Sequence, residues 1–405
     1  MFQRLALGEM AALGATGLPL LVIQHPLGGE APEGVGRRVQ QAVEQIDAML
    51  GSRCGVMSEA ADATLTLPEE DVYAEFCQRE WCDGLPFIPP TPERVRAMLA
   101  GARTKPAETL GVMPPLWRDC TVEKLAINAV MAGCELAYFP VVVAAVQAML
   151  DPAFNLYGVQ ATTHPVAPLV VVSGPYAQTI GVHAGSGLFG PGFRANATIG
   201  RALRLILMNV GGGWPGRGDM ATQGSPAKFA YAIAEREDSP WDPLHVALGF
   251  KPDQSVVTVF GGEGPHNVND HVSTTAAGIL NNVADVATSL GSNVGWYLSQ
   301  SQLLVVLGPE HAATVAADGF TRADVQRFVF EHARMPLGRM KLGGMWGMHD
   351  WPHWMNMVTD ESARLPRVPT ADDVYVMVGG GSGKHSCVVP NCTFSRAVSR
   401  PLDRL

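Results

Sequence analysis

The sequence lacks any apolar run near the length of about 20 residues that a membrane-spanning helix needs. It also lacks a basic cluster, because 29 Lys and Arg stand against 38 Asp and Glu and give a net charge of −9. Nucleic acid is therefore not an expected partner. The stretch from Met1 to Gly14 has neither a continuous apolar centre nor a small-residue cleavage site, so no secretory signal is expected. These absences predict a cytoplasmic protein with no membrane partner.

Cysteine is sparse and odd in number, which argues against a disulfide framework. Seven cysteines in 405 residues indicate a reduced, intracellular chain.

Charged residues are few as well, at 17%, whereas hydrophobic residues reach 47%. The 44 glycines and 30 prolines cluster at the ends of apolar runs. This punctuation is typical of a large α/β core rather than of a disordered chain.

Hydrophobic periodicity predicts an α/β fold built from an internally duplicated helix–strand–helix–strand unit, preceded by a small N-terminal βα piece. That piece has a predicted strand over 18–24 and a helix over 34–50. The predicted units are an N-terminal segment with its linker, a helical connecting segment and two repeats, at 1–67, 68–120, 121–270 and 271–405. Within the repeats we expect helices over 121–150, 194–210, 274–290 and 321–334, and strands over 169–173, 255–260, 303–307 and 373–378.

The two predicted repeats match in sequence as well as in order. Leu169–Pro175 resembles Leu303–Pro309, and the helices that follow also open alike. The last loops, Gly262–Asn267 and Gly381–Ser386, share the pattern Gly-x-Gly-x-His. Four matching elements in one order indicate a duplication, although strand–glycine–helix units recur in α/β proteins in any case.

These paired loops are the main candidate site. Glycines at a strand end let backbone N–H groups approach a ligand, and a histidine there can act as an acid, a base or a metal ligand. A pseudo-twofold axis would bring His266 and His385 to one cleft. Asn267, Asn269 and Asp270 would then orient the substrate or a histidine. Ordinary turn chemistry is the alternative explanation for these polar residues.

Cationic side chains near the same loops predict an anionic small-molecule substrate. Lys384 and Arg194 are the candidate anion-binding groups, and Asn196 stands two residues after that arginine. The backbone of Gly264 and Gly383 would complete the substrate contacts.

Two glycine-rich stretches imitate nucleotide-binding motifs without fulfilling them. The stretch 185–190 reads G-x-G-x-x-G, but no convincing strand precedes it and none follows, so NAD is not expected. The stretch 379–386 is not a Walker loop, because Val378 stands where the first glycine should be and His385 stands where Ser or Thr should follow the lysine. ATP is therefore not expected either.

Cys387 and Cys82 are the candidate nucleophiles if the chemistry is covalent. His385 and Lys384 lie just before Cys387 and could lower the pKa of its thiol. Cys82 follows a predicted helix and stands beside Asp83, a further candidate. The alternative explanation for both cysteines is that of a small buried hydrophobic side chain.

A transition metal is the alternative cofactor, with His266, His271 and His385 as its ligands in a lyase or hydratase. The sequence indicates no other cofactor. Zinc held by four cysteines is disfavoured, because the C-x4-C spacing is wider than that of the usual ligand pairs. The four cysteines in question are Cys77, Cys82, Cys387 and Cys392.

A tryptophan- and histidine-rich stretch over 346–354 could be a lid over an apolar ligand or a subunit contact. A homo-oligomer is therefore expected.

Three segments, Leu21–Gly29, Trp81–Thr91 and Gly383–Ser386, resemble the UGSC-type (seleno)proteins, which are distantly similar to the selenoprotein component of glycine reductase. The resemblance implies thiol or selenol chemistry on a small molecule. That family carries a Sec/Cys-Gly-Ser-Cys motif upstream of the His25-Pro26 segment. No residue here matches it, and Cys54-Gly55-Val56-Met57 is not a replacement. Either a partner chain supplies the thiol or selenol, or this member works without it.

Together these features predict a small-molecule enzyme that makes or breaks a carbon–sulfur or similar carbon–heteroatom bond. It would use cysteine and histidine in a cleft between two pseudo-symmetric halves, as a lyase, a transferase or a thiol-dependent oxidoreductase. Two alternatives stay open: a metal-dependent lyase or hydratase, and a non-catalytic subunit of a thiol-redox complex.

Overall fold

The structure, a computed structural model, describes residues 2–12, 14–16, 20–23, 32–49, 66–100, 105–291, 301–342 and 357–402. The described residues form an α/β fold, as predicted. Three predicted features lie outside them: the His25-Pro26 segment, Cys54 and the tryptophan-rich stretch 346–354.

The helices of the first half of the described chain are α1 Phe2–Ala12, α2 Pro32–Met49, α3 Val72–Gln78, α4 Pro92–Leu99, α5 Val122–Ala132, α6 Phe139–Met149, α7 Leu156–Ala161, α8 Pro175–Thr179, α9 Arg194–Asn209 and α10 Leu244–Ala247. Those of the second half are α11 Ala276–Val286, α12 Pro309–Ala317, α13 Arg322–His332 and α14 Leu337–Leu342. Among the described residues no single helix is long and apolar enough to cross a membrane, and one bent pair, Leu136–Met149 with Pro152–Ala161, passes that test jointly.

Two four-stranded sheets carry the architecture of the described residues, together with two two-stranded sheets. The first sheet has the order β12-β5-β3-β4, with β3 Ala167–Ser173, β4 Ala232–Ala234, β5 Val256–Gly262 and β12 Val398–Pro401. The second has the order β10-β7-β11-β6, with β6 His266–Asn269, β7 Leu303–Leu307, β10 Val374–Val378 and β11 His385–Pro390. The two-stranded sheets are the hairpin of β1 Thr109–Met113 with β2 Arg118–Thr121, and the antiparallel pair of β8 Arg334–Pro336 with β9 Arg364–Pro366.

The two sheets share one pairing pattern. In the first, β3 is parallel to β4 and antiparallel to β5, which pairs antiparallel with β12. In the second, β7 is parallel to β10 and antiparallel to β11, which pairs antiparallel with β6. The outer strands are exchanged, because β6 follows β5 in the chain but joins the second sheet, and β12 follows β11 but joins the first. Each half of the chain therefore completes the sheet of the other.

This shared pattern is what a duplicated unit would produce, and the duplication stays a prediction. The predicted equivalence of the two Gly-x-Gly-x-His loops, however, is wrong. The strand before the first loop, β5, is antiparallel to β3, whereas the strand before the second, β10, is parallel to β7. The counterpart of β5 is β11. Each loop follows a strand and contains glycines. Their places in the fold nevertheless differ, because the strands before them pair differently.

The sheets face each other between two outer layers of helices. Leu169 and Val171 of β3 meet Leu304 and Val306 of β7 in a core between the sheets. On the other side of the first sheet, Val170 and its neighbours pack on α5, α6 and α9. The far side of the second sheet packs on α11, α12 and α13. Strands buried on both faces explain why β3 and β7 appear in the sequence as continuous apolar runs.

Two predictions for the N-terminal part are corrected. The helix over 34–50 is present as α2, but the predicted strand over 18–24 is wrong, since residues 20–23 lie in no strand. Val22 instead exchanges backbone hydrogen bonds with the Gln45 side chain of α2. The connecting segment 68–120 contains the β1–β2 hairpin in addition to its helices.

Candidate functional site

The candidate site lies where the chain crosses from the first sheet to the second, between β5 and β6. Glu263 occupies this crossing, and both of its backbone groups are fixed. Its N–H donates to the carbonyl oxygen of Pro390, at 2.9 Å. Its carbonyl accepts the hydroxyl of Tyr231, at 2.7 Å. The crossing therefore holds the Glu263 side chain at a defined position.

The Glu263 carboxylate lies between two imidazoles. Nε2 of His164 is 2.6 Å from Oε1, and Nε2 of His266 is 3.1 Å from Oε2. The exposed fractions of the three side chains are 16% for His164, 12% for Glu263 and 29% for His266. We call these three residues the histidine–glutamate cluster.

The carboxylate of the cluster is ionised. Burial alone would raise the pKa of Glu263, but the hydrogen bonds from His164 and His266 outweigh it and hold that pKa at about 2. An ionised carboxylate only accepts hydrogen bonds, so each Nε2 atom must carry a proton. In a neutral imidazole the lone pair then lies on Nδ1.

This arrangement is suited to acid–base chemistry. A carboxylate fixes the imidazole ring and stabilises the imidazolium that forms when Nδ1 takes up a proton. His266 is the more exposed of the two histidines, at 29% against 16%. Nδ1 of His164 is buried and has no hydrogen-bond partner among the described residues. Such an atom is one that a bound ligand would satisfy.

Sequence reasoning found His266 but missed His164 and Glu263. His164 lies in the loop between α7 and β3, where its backbone N–H donates to the hydroxyl of Thr162, at 3.1 Å. No local pattern connects that loop with one that follows 99 residues later. Glu263 stands inside the very loop that was singled out, and a glutamate between two glycines near a histidine was the available signal.

His385 belongs to a different group. Its Nδ1 lies 3.1 Å from Oδ1 of Asn267, and its Nε2 lies 3.3 Å from Nε2 of His271. These side chains are exposed at the edge strand β6. Asn267 was predicted to orient the substrate or a histidine, and its side chain lies beside His385; the role itself stays a prediction.

The predicted meeting of His266 and His385 in one cleft is wrong. In the β6–β11 ladder, His266 stands opposite Val388 and His385 opposite Asn269, which separates the two histidines by roughly 10 Å along the strands. Alternation also puts them on opposite faces of the sheet.

The predicted metal ligands do not converge either. Among the residues that the structure describes, no group of three or more His, Cys, Asp or Glu side chains is arranged to hold a metal ion. His271 and His385 face each other, while His266 is turned toward Glu263. The ligand set of the alternative lyase is therefore wrong.

Asp270 has a structural position rather than a catalytic one. Its Oδ1 accepts the backbone N–H groups of Val272 and Ser273, and its Oδ2 accepts the side-chain amide of Asn282, at 2.7 Å. Burial would raise the pKa of Asp270, but these hydrogen bonds hold it at about 2. The turn explanation fits this residue. Asn269 is exposed on β6, opposite His385.

A buried serine–histidine pair near Asp270 went unnoticed in the sequence. The Ser386 hydroxyl accepts the N–H of Gly308, at 3.0 Å, and lies 2.8 Å from Nδ1 of His311. Nε2 of the same ring lies 3.0 Å from the carbonyl oxygen of Asp270. Every polar atom of this pair has a partner inside the core, so it joins α12 to β11 rather than waiting for a substrate.

Burial disfavours the ionised thiolate of both predicted cysteine nucleophiles. Cys387 faces the core between the sheets, and burial raises the pKa of its thiol to about 12. Cys82 is 4% exposed, and burial raises its pKa as well. Asp83 is held by the Arg201 guanidinium through two hydrogen bonds of 2.8 Å. None of these three groups contacts the histidine–glutamate cluster.

The predicted anion-binding residues are placed elsewhere too. Arg194 pairs with Glu135, at 2.6 Å. Both amide atoms of Asn196 bind the backbone of His183, at 2.8 and 3.0 Å. These residues anchor the start of α9.

The two loop glycines differ in their surroundings. The N–H of Gly383 donates to the carboxylate of Glu310, at 2.8 Å. This carboxylate would repel an anionic ligand at the same N–H group. The carbonyl of the next residue, Lys384, accepts the N–H of Asp270. Gly264 lies within the loop of the cluster, near Ser225. It is thus the predicted substrate-binding glycine that the structure places beside the acid–base groups.

The two glycine-rich stretches pack against each other. A Cβ on Gly381 would lie 2.6 Å from the Cβ of Ser186, and the N–H of Gly380 donates to the carbonyl of Ala184. Close packing thus accounts for glycine here. Gly185 of the first stretch lines a cleft of about 470 Å³ at the carboxyl ends of β3 and β4, together with Glu235 and His245.

No known family model matches the chain, and no curated protein matches it. The resemblance to the UGSC-type proteins therefore stays a prediction.

Proposed function

We propose that the protein is a small-molecule enzyme that makes or breaks a carbon–sulfur or similar carbon–heteroatom bond by acid–base catalysis at the histidine–glutamate cluster. The observation that carries this proposal is the ionised Glu263 carboxylate between two imidazoles. Addition and elimination at such bonds require a proton to be removed from one atom and delivered to another. A carboxylate-supported histidine performs both transfers.

His266 has the role of the acid–base residue, through Nδ1. Glu263 is its positioning residue, because it fixes the protonated nitrogen and the ring plane. His164 holds the carboxylate from the other side, and its Nδ1 is buried without a hydrogen-bond partner among the described residues. The choice of a carbon–sulfur bond draws support from the resemblance to the UGSC-type proteins alone.

The proposal uses no cysteine nucleophile. A thiol whose pKa is about 12 is ionised at roughly one part in 10⁵ at pH 7, which is too little for Cys387 to act. Arg194 pairs with Glu135, so it does not indicate the charge of the substrate.

The test is a turnover screen on the purified chain. The panel contains thioethers and β-hydroxy compounds with an acidic C–H next to a carbonyl, and released thiol or water loss is followed by absorbance. His266→Asn should lower the turnover of any substrate found by 10²- to 10⁴-fold, about the contribution of one acid–base group.

The matched control is His271→Asn, which removes a histidine from the other pair. This variant should keep its turnover within about twofold, because His271 contacts His385 and not the cluster. Equal losses in both variants would contradict the assignment. A wild-type rate in His266→Asn would overturn it.

A further inference from the structure

Cys77 and Cys82 form a close pair outside the proposed site. Cys77 stands at the end of α3, and Cys82 lies in the loop that follows. Their sulfur atoms are 3.4 Å apart, whereas a disulfide bond measures about 2.05 Å. A shift of little more than one ångström therefore separates two thiols from a bond.

The surrounding structure holds the two sulfurs together. The Tyr73 hydroxyl of α3 donates to the carbonyl of Gly84, at 2.8 Å, and closes the loop onto the helix. Asp83 accepts the backbone N–H of Leu85 and the guanidinium of Arg201 in α9. The Tyr73 side chain also makes a hydrogen bond with Cys77. The pair is thus pre-oriented, and ordering it costs little when a bond forms.

The two cysteines differ in exposure in the way that a two-step exchange needs. Cys77 is exposed, whereas Cys82 is 4% exposed. Burial raises the pKa of Cys82, so an external reagent meets Cys77 first. The other described cysteines, Cys120, Cys134, Cys387 and Cys392, are buried or half-buried, and burial raises the pKa of each to about 12.

We propose that Cys77 and Cys82 are a reversible dithiol site that undergoes thiol–disulfide exchange with a low-molecular-weight disulfide. The Cys77 thiolate attacks one sulfur of the disulfide, forms a mixed disulfide and releases one thiolate. Cys82 then gives up its proton, and its sulfur attacks the Cys77 sulfur, forming the Cys77–Cys82 bond and releasing the second thiolate. The two protein thiols lose two electrons and two protons, and the small disulfide gains them as two thiols.

The experiment exposes the full chain to defined mixtures of oxidised and reduced glutathione, followed by acid quenching, alkylation and mass spectrometry of peptides. It uses a Cys54→Ser background, so that this thiol outside the described residues takes no part. The expected product is a Cys77–Cys82 crosslink that has lost two hydrogen atoms and reverts with dithiothreitol. Fluorescence of the adjacent Trp81, whose ring meets that of Phe76 at 5.3 Å, should change with oxidation and stay constant in Trp81→Phe.

Two variants separate the steps. Cys82→Ser should trap glutathione on Cys77, because the resolving thiol is missing. Cys77→Ser should leave Cys82 unmodified, since that sulfur is buried. Cys134→Ser is the matched control and should form the crosslink like the parent chain. Melting curves establish that each variant is folded.

Two outcomes would overturn the proposal. One is a parent chain that accumulates glutathione on Cys77 without the crosslink. The other is a Cys77 that stays reduced in excess oxidised glutathione with no reduced glutathione present. Neither outcome bears on the histidine–glutamate cluster, whose residues take no part in the exchange.

Discussion

Glu263 owes its charge to two histidines from separate parts of the sequence. His266 stands three residues after it, and His164 lies 99 residues before it. The sequence predicted the histidine, because the pattern Gly-x-Gly-x-His is visible within one loop. It could not predict the carboxylate as a partner, because the direction of that side chain depends on where the chain crosses between sheets. Long-range pairing of this kind leaves no local pattern.

The same residue-scale reasoning decides between the cysteines. Cys387 looked reactive in the sequence because His385 and Lys384 stand beside it. His385 and Cys387 share a face of β11, but His385 is exposed at the start of the strand, whereas Cys387 lies where that face packs in the core between the sheets.

We therefore expect Cys387 to be inert in the native protein. At pH 8 a thiol with a pKa of about 12 is ionised at roughly one part in 10⁴, so iodoacetamide should modify it only after unfolding in urea. Peptide mass spectrometry after timed alkylation measures this, with exposed Cys77 as the internal comparison. Native labelling of Cys387 at a rate near that of Cys77 would contradict the assignment.

At the scale of elements, apolar content determined which strands could be predicted. The strands β3 and β7 were predicted almost to the residue, because both are continuous apolar runs buried on two faces. The strands β6 and β11 carry polar and half-buried residues, and β4 has three residues. Pairing with neighbours, rather than their own pattern, makes these segments strands.

The contact between α12 and β11 gives a prediction at this scale. A Cβ on Gly308 would lie 2.1 Å from the carbonyl oxygen of His385, and backbone at this position has little room to yield. Gly308→Ala should lower the free energy of unfolding by about 2 to 3 kcal/mol. Urea denaturation followed by circular dichroism measures it.

The matched control is Gly291→Ala, where a Cβ would meet nothing within 4 Å among the described residues. This variant should change the free energy of unfolding by less than about 0.5 kcal/mol. If the two substitutions cost the same, the close approach of Gly308 to β11 is not what the structure shows.

For the whole molecule, the exchange of β6 and β12 is the dominant feature. The sequence predicted the α/β class and the order of most elements from their periodicity. It assigned β6 to the first repeat, 121–270, and β12 to the second, 271–405, but the structure places each strand in the opposite sheet. Strand exchange is a property of pairing between distant segments, so the sequence pattern of either half does not contain it.

This exchange predicts that the two sheets unfold together. Losing either half removes an outer strand from the sheet of the other and exposes the core between them. Scanning calorimetry should therefore show one transition, with a calorimetric enthalpy close to the van't Hoff value. Val398→Ala in β12 should move that transition to a lower temperature without splitting it. Two resolved transitions would mean that the halves are independent.

The charge of Glu263 links the fold to its proposed chemistry and also to pH. Its pKa in the folded protein, about 2, lies below the value of roughly 4.3 in an unfolded chain. The stabilisation that the ionised carboxylate provides is therefore complete above about pH 4.3 and is lost as the pH falls toward 2.

The most direct test of the account is the titration of the Glu263 carboxyl carbon by NMR in protein labelled with ¹³C-glutamate, with Glu263→Gln to assign the signal. The account predicts that the signal stays at its ionised position down to the lowest pH at which the protein is folded, and that His266→Asn shifts its midpoint upward. A midpoint near the ordinary glutamate value of about 4.3 would contradict the hydrogen bonds from His164 and His266 to the carboxylate and, with them, the positioning of His266 by Glu263.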